Sequence, residues 1–201
     1  MRTAVYVPTR GFPYAGVISR LNEDQIPYSF MVGNQGWSIT MNRIVAEFLK
    51  TDAEICVFLD DDTIPPNGWL PKLVEPVAEG QFDVVGAPVL IAKEGQVFTP
   101  NTYNSPGKPY FGRGLEEVEF VGSACLAVSR KTLEEMVHIR DGRPFAEKMN
   151  GAVVEMGGDM AFCWECVNYG HKIAVNFDVV CEHYRHVHLN AAHAAYVKAL
   201  R

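Results

Sequence analysis

Long apolar runs are missing from this chain, and so are blocks of basic residues. No hydrophobic stretch approaches the roughly 20 residues that cross a bilayer, so no membrane span is expected. Residues 1–16 lack a basic start followed by a long apolar core, so no secretory leader is expected either. A formal net charge of -6 argues against a nucleic-acid groove as the main surface. Repeats and low-complexity tracts are absent. The five cysteines (Cys56, Cys125, Cys163, Cys166, Cys181) are an odd number, and several lie in apolar runs. Reduced thiols in a cytoplasmic protein are the simplest reading. What is present is a globular composition, 48% hydrophobic and 21% charged, over 201 residues, enough for a single domain with its own core.

Residues 55–69 read I-C-V-F-L-D-D-D-T-I-P-P-N-G-W. An apolar run of this length bounded by turn residues reads as a buried strand of a parallel sheet. Asp60, Asp61 and Asp62 then lie at its carboxyl end, where open α/β sheets bind ligands. Three carboxylates there repel one another, and a divalent cation with a bound phosphate relieves the repulsion. In an extended chain Asp60 and Asp62 share a face and Asp61 points elsewhere.

The rest of the chain reads as alternating elements. A strand at 3–7 ends in Pro8-Thr9-Arg10-Gly11, a helix is expected over 14–25, and a strand over 28–32. The next helix shows Met41, Ile44, Val45, Phe48 and Leu49 on one face, with Ser38 as its cap. This β-α-β-α-β order indicates a doubly wound, mainly parallel sheet. A helix at 69–79 is expected to be interrupted by Pro76, and a strand follows at 83–91. Residues 92–117 read as a long loop carrying Tyr103, Tyr110 and Phe111. A strand over 118–128 contains Gly122-Ser123-Ala124, small enough for another group to approach the backbone. A short helix at 130–137, an irregular stretch at 138–156, a helix opened by Gly157-Gly158-Asp159, a strand over 172–180 and a final helix over 190–200 complete the reading. Trp37, Tyr103, Tyr110 and Phe111 are the candidates for stacking on a ligand ring, whereas Trp69 and Trp164 read as core anchors. Cys163 and Cys166 lie mid-helix, which favours packing over redox chemistry.

The ordered motifs P-T-R-G, D-D-D-x-x-P-P-x-x-W-L, G-S-x-x-L-A-V-S-R and G-G-D with F-C-W-E, followed by a strand ending near a histidine, resemble the small GT-A-fold glycosyltransferases. They lie close to glycosyltransferase family 2 and its compact phage and bacterial relatives. The resemblance covers nearly the whole chain. It implies a single Rossmann-like GT-A domain over 1–201, with a nucleotide-sugar-binding half up to residue 91 and an acceptor half over 92–201. It also implies a UDP- or GDP-linked sugar donor, a hydroxyl acceptor, and Mn2+ or Mg2+. By that likeness Asp60 holds the nucleoside or the metal shell, and Asp62 ligates the metal. His183 is the later metal ligand, with His186 or His188 as weaker choices. Asp159 stands beside the acceptor hydroxyl as base, an inverting reaction being preferred to a retaining one. Pro8, Thr9 and Arg10 line the nucleotide pocket together with Asp61. Two positions depart from the pattern. Gly158 stands where family members often have glutamate. Thr40-Met41-Asn42 replaces A-R-N, so only Asn42 matches, as a donor-binding residue; the arginine from which the resemblance implies a donor-phosphate contact is Met41 here, and Arg43 points about 100° away around the helix.

Other readings compete. An aspartyl-phosphate phosphohydrolase also places D-x-D after an apolar strand, but Ile64 stands where such enzymes want a small hydroxyl residue or valine, and the acidic strand is the third here. A nucleotide- or glycan-binding module without catalysis is a further alternative. Asp159 as a plain helix cap and the three histidines as a zinc site of their own also stand beside the family reading.

Overall fold

A computed structural model describes residues 2–33, 36–91, 99–105 and 108–184. Five strands of its central sheet run in one direction: β1 (Thr3–Thr9), β2 (Tyr28–Val32), β3 (Ile55–Leu59), β4 (Val84–Gly86) and, late in the chain, β7 (Ile173–Asn176). Two run against them, β5 (Leu115–Glu117) and β6 (Cys125–Ser129). The spatial order is β5-β7-β4-β6-β3-β1-β2. The sheet is thus mainly parallel, as the sequence indicates, with β6 inserted in reverse at its centre.

Alternation along the strands divides the core into two layers. Ile55, Val57 and Leu59 of β3 face one side with Val5 and Val7 of β1, while Cys56 and Phe58 face the other. The first side is covered by α1 (Ala15–Glu23) through Val17 and Leu21, and by α3 (Trp69–Ala78) through Trp69 and Leu73. The second is covered by α2 (Trp37–Phe48), α4 (Arg130–Ile139) and α5 (Gly158–Asn168). The predicted apolar face of α2 is buried at Met41, Ile44, Val45 and Phe48. Both tryptophans read as anchors pack inward, Trp69 completely and Trp164 in part.

Several expectations change. Gly36, at φ 110, precedes α2 as its cap, so Ser38 lies inside the helix. Pro76 does not interrupt α3. The carbonyl of Lys72, which a proline at 76 cannot serve, accepts a bond from Asn176 Nδ2 at 3.1 Å. The segment read as a loop is partly sheet: Thr102–Ser105 pairs with Lys108–Pro109 and with Phe120–Val121, and β5 joins the main sheet. The expected strand over 118–128 breaks at Gly122, where a Cβ would lie only 2.7 Å from Asn101 Nδ2. The irregular 138–156 stretch contains a hairpin, Lys148–Asn150 with Val153–Met156. The expected final helix, His186 and His188 lie outside the described residues.

Candidate functional site

Because β1, β2 and β3 are parallel neighbours, their carboxyl ends open onto one place. A cavity of about 1220 Å³ lies there, lined by Pro8 and Thr9 at the end of β1 with Arg10 after it, Gly33 after β2, Gly36 before α2, Trp37 and Thr40 of α2, and Asp60, Asp61 and Asp62 after β3. Phe12, Tyr14 and Tyr184 line it too. Gly33 has no room for a side chain, because a Cβ there would run into Thr40 Oγ1.

The chain turns immediately after β3. The Thr63 N–H donates to Asp60 O at 3.1 Å, and the Asp60 N–H donates to Ala124 O beside the start of β6 at 2.8 Å. Asp60, Asp61 and Asp62 therefore do not alternate as an extended strand would make them, and all three line the cavity. Asp60 Oδ1 is sealed from solvent and accepts no hydrogen bond. Burial, then the charges of Asp62, Asp61 and Asp159, raise its pKa to about 7 against a smaller opposing pull from His183.

His183 reaches the acidic turn from the far end of the sequence. Glu182–His183 pairs antiparallel with Thr63–Ile64, which sets His183 opposite Thr63. Its Nδ1 lies 3.0 Å from the carbonyl oxygen of Leu90, which can only accept, so Nδ1 carries the hydrogen. Nε2 then faces Asp62 Oδ2 at 3.4 Å. A ring nitrogen and a carboxylate oxygen facing each other call for a proton or a cation between them. The sealed Asp60 oxygen and this oriented imidazole suit a divalent cation that takes oxygen and nitrogen donors. The donors are a pair with Asp60 nearby, not a cage: among the described residues no group of three or more His, Cys, Asp or Glu side chains could hold a metal by itself.

Two tyrosines frame the same turn. The Tyr14 N–H donates to Asp61 O at 2.8 Å and the Tyr184 N–H to Asp62 O at 2.9 Å, and their rings stack 4.2 Å apart. Sequence reasoning missed both. Tyr14 looks like a helix start and Tyr184 like part of a histidine run, and only pairing between the two ends of the chain reveals their shared task.

Asp159 is the second residue of α5, after Gly157 as cap. Its Oδ1 accepts the Met160 N–H at 2.9 Å, and the Ser123 N–H also donates to its carboxylate. Burial outweighs these bonds and raises its pKa. The small residues at 122–124 thus admit a carboxylate as well as Asn101. Asn42 is elsewhere: its Oδ1 accepts the Phe145 N–H at 2.8 Å, and it is not among the cavity-lining residues. Arg43 donates to Val32 O at 3.4 Å. Of the stacking candidates only Trp37 lines the cavity. Tyr110 and Phe111 pack on Phe177, and Tyr103 lies near enough to Asp159 to feel its charge. All five cysteines are buried free thiols, with Cys163 pushed up to about 12, chiefly by burial, and so unreactive. No helix among the described residues is long and apolar enough to cross a membrane.

No curated protein matches the chain. Among solved structures, A197 from STIV aligns with a TM-score of 0.70 over 92% of this chain and 87% of its own, at 19% identity. A crystal structure of GalNAc-T7 with UDP, GalNAc and Mn2+ aligns with a TM-score of 0.60 over 99% of this chain, at 10% identity. That alignment takes in 48% of the GalNAc-T7 chain, so the present chain spans about half its length. At these identities the likeness is one of fold. The family profile described as Glycosyl transferase family 2 matches residues 15–137, more than half of the chain, and the chain belongs to that family.

Proposed function

We propose that this protein transfers a sugar from a nucleoside-diphosphate sugar to a hydroxyl acceptor, with a divalent cation held by Asp62 and His183. The observation that carries the reading is the Asp60–Asp62 turn lining the cavity, with His183 oriented onto Asp62 from late in the sequence. The UDP and Mn2+ named with GalNAc-T7 agree with it. When bound, the cation would supply Lewis-acid stabilisation of the charge developing on the leaving diphosphate.

In this scheme the chain's own groups divide the work. Pro8, Thr9, Arg10 and Trp37 form the wall for the nucleoside, and Asp60 and Asp61 hold its polar edge. Asp159, whose raised pKa brings it nearer the working range of a base, takes the acceptor proton in an inverting transfer. Asp60 is poorly suited to the rival role of phosphohydrolase nucleophile, since burial and acidic neighbours favour its neutral form.

A panel of nucleotide sugars, each offered with and without Mn2+, tests the proposal. Slow metal-dependent hydrolysis or transfer of one donor is expected, abolished by Asp62→Ala. Absence of binding and turnover across the whole panel would sink it. Release of phosphate from simple esters would favour the hydrolase, and donor binding without turnover the non-catalytic module.

A further inference from the structure

Phe145 is a buried joint between the two sides of the site. Its ring stacks on Phe162 of α5 at 4.5 Å, three residues after Asp159. It meets Phe58 of β3 edge-on at 5.3 Å, two residues before Asp60, and Trp37 of the cavity wall at 5.9 Å. Its carbonyl oxygen fills the space that a side chain at position 158 would need, beside Ser38 Oγ at 2.9 Å and Trp37 Cζ3 at 3.0 Å from that point. Gly158 is therefore required by packing, and a glutamate has no room there. The next residue is held as well: Arg140 donates to Ala146 O at 2.6 Å and pairs with Glu165 of α5 at 2.9 Å. The Phe145 N–H goes to Asn42 Oδ1.

We propose that Asn42 is a positioning residue: through Phe145 it braces Gly158 and Asp159 against the donor-side helix α2, so that the acceptor base is aligned by the wall of the donor cavity. The proposal rests on the transfer reading above for Asp159. It assigns Asn42 a role different from a phosphate contact, and the two roles use opposite ends of the amide. A phosphate would be met by the Asn42 NH2 group, whereas the brace uses the carbonyl oxygen as acceptor. Asn42→Asp keeps an acceptor for the Phe145 N–H but adds a negative charge that repels phosphate. Asn42→Leu removes both functions at similar volume.

The experiment measures donor affinity by calorimetry in the presence of Mn2+, kcat with the donor found in the panel, and amide hydrogen exchange at Phe145 and residues 157–160. For Asn42→Leu, kcat is expected to fall about 10- to 100-fold, the scale of a misplaced catalytic group, with donor Kd within about twofold and faster exchange at both places. Asn42→Asp should restore protection at Phe145 and most of kcat. Gly158→Ala, which leaves Asn42 intact but pushes on the Phe145 carbonyl, should reproduce the kcat loss. Loss of donor affinity in both Asn42 variants overturns the brace, as does unchanged exchange in Asn42→Leu. If the parent protein turns over no donor, the transfer reading fails, while the exchange measurement still decides whether Asn42 braces residues 157–160.

Discussion

Asp60 carries a proton in the folded protein at pH values where an unfolded aspartate has lost it, because burial and its acidic neighbours raise its pKa from 3.8 to about 7. A raised pKa means that the folded state binds the proton more tightly. The stability this group contributes is therefore fully present below about pH 4 and is lost as pH rises through about 7. In metal-free protein, Asp60→Asn should raise Tm at pH 8 by about 2–4 °C per kcal/mol recovered, and by much less at pH 5. Equal Tm differences at the two pH values would refute this. The same residue shows what was legible at this scale. The acidic run announced a site by its composition alone, and the likeness to known transferases pointed to His183. An extended chain would turn Asp61 away from Asp60 and Asp62, but a turn forms after β3 and Asp61 lines the cavity with them. Asn42 matched a motif letter, but its partner lies 103 positions away at Phe145.

Helix α2 joins the cavity wall to the core, and Arg130 fixes its far end. The guanidinium donates to Ala53 O at 2.8 Å, Thr51 O at 2.7 Å and Phe48 O at 3.3 Å, and its carbon lies 4.7 Å from the Phe48 ring centre. A cation at a helix C-terminus meets both unpaired carbonyls and the negative end of the dipole. Arg130→Met should therefore lower unfolding stability by roughly 2–3 kcal/mol, measured by urea titration, with Arg130→Lys recovering only part of it because an ammonium lacks the planar fork. A loss under about 0.5 kcal/mol would mean that these bonds are exchanged evenly with water. The periodic face of α2 and the unbroken apolar run of β3 were readable because the core dictates both patterns directly. The segment over 92–117 was not. Its short strands owe their existence to partners at Phe120–Val121 and Ile173–Asn176, and glycines and prolines mask that pairing in the local composition.

At the scale of the whole molecule, ligand binding couples to stability. If the cavity takes a nucleoside diphosphate with Mn2+, ligand at about 100 times its Kd should stabilise the fold by about 2.7 kcal/mol, visible as a rise in Tm. Asp62→Ala should abolish the part of the rise that depends on Mn2+ while leaving the ligand-free Tm nearly unchanged, since Asp62 is 40% exposed. A Tm indifferent to nucleotide and metal in the parent protein would count against the site. The alternating apolar elements determined a mainly parallel α/β domain, because burial of one face per helix and two faces per strand leaves few other arrangements. They also determined that Asp60, Asp61 and Asp62 end a buried strand. Tertiary structure alone decided that Tyr14 and Tyr184 clasp that turn, that Asn42 serves Phe145, and that Gly158 is glycine for lack of space. Each of those facts is a contact between residues distant in sequence, and no local pattern encodes which distant atoms will occupy a given space.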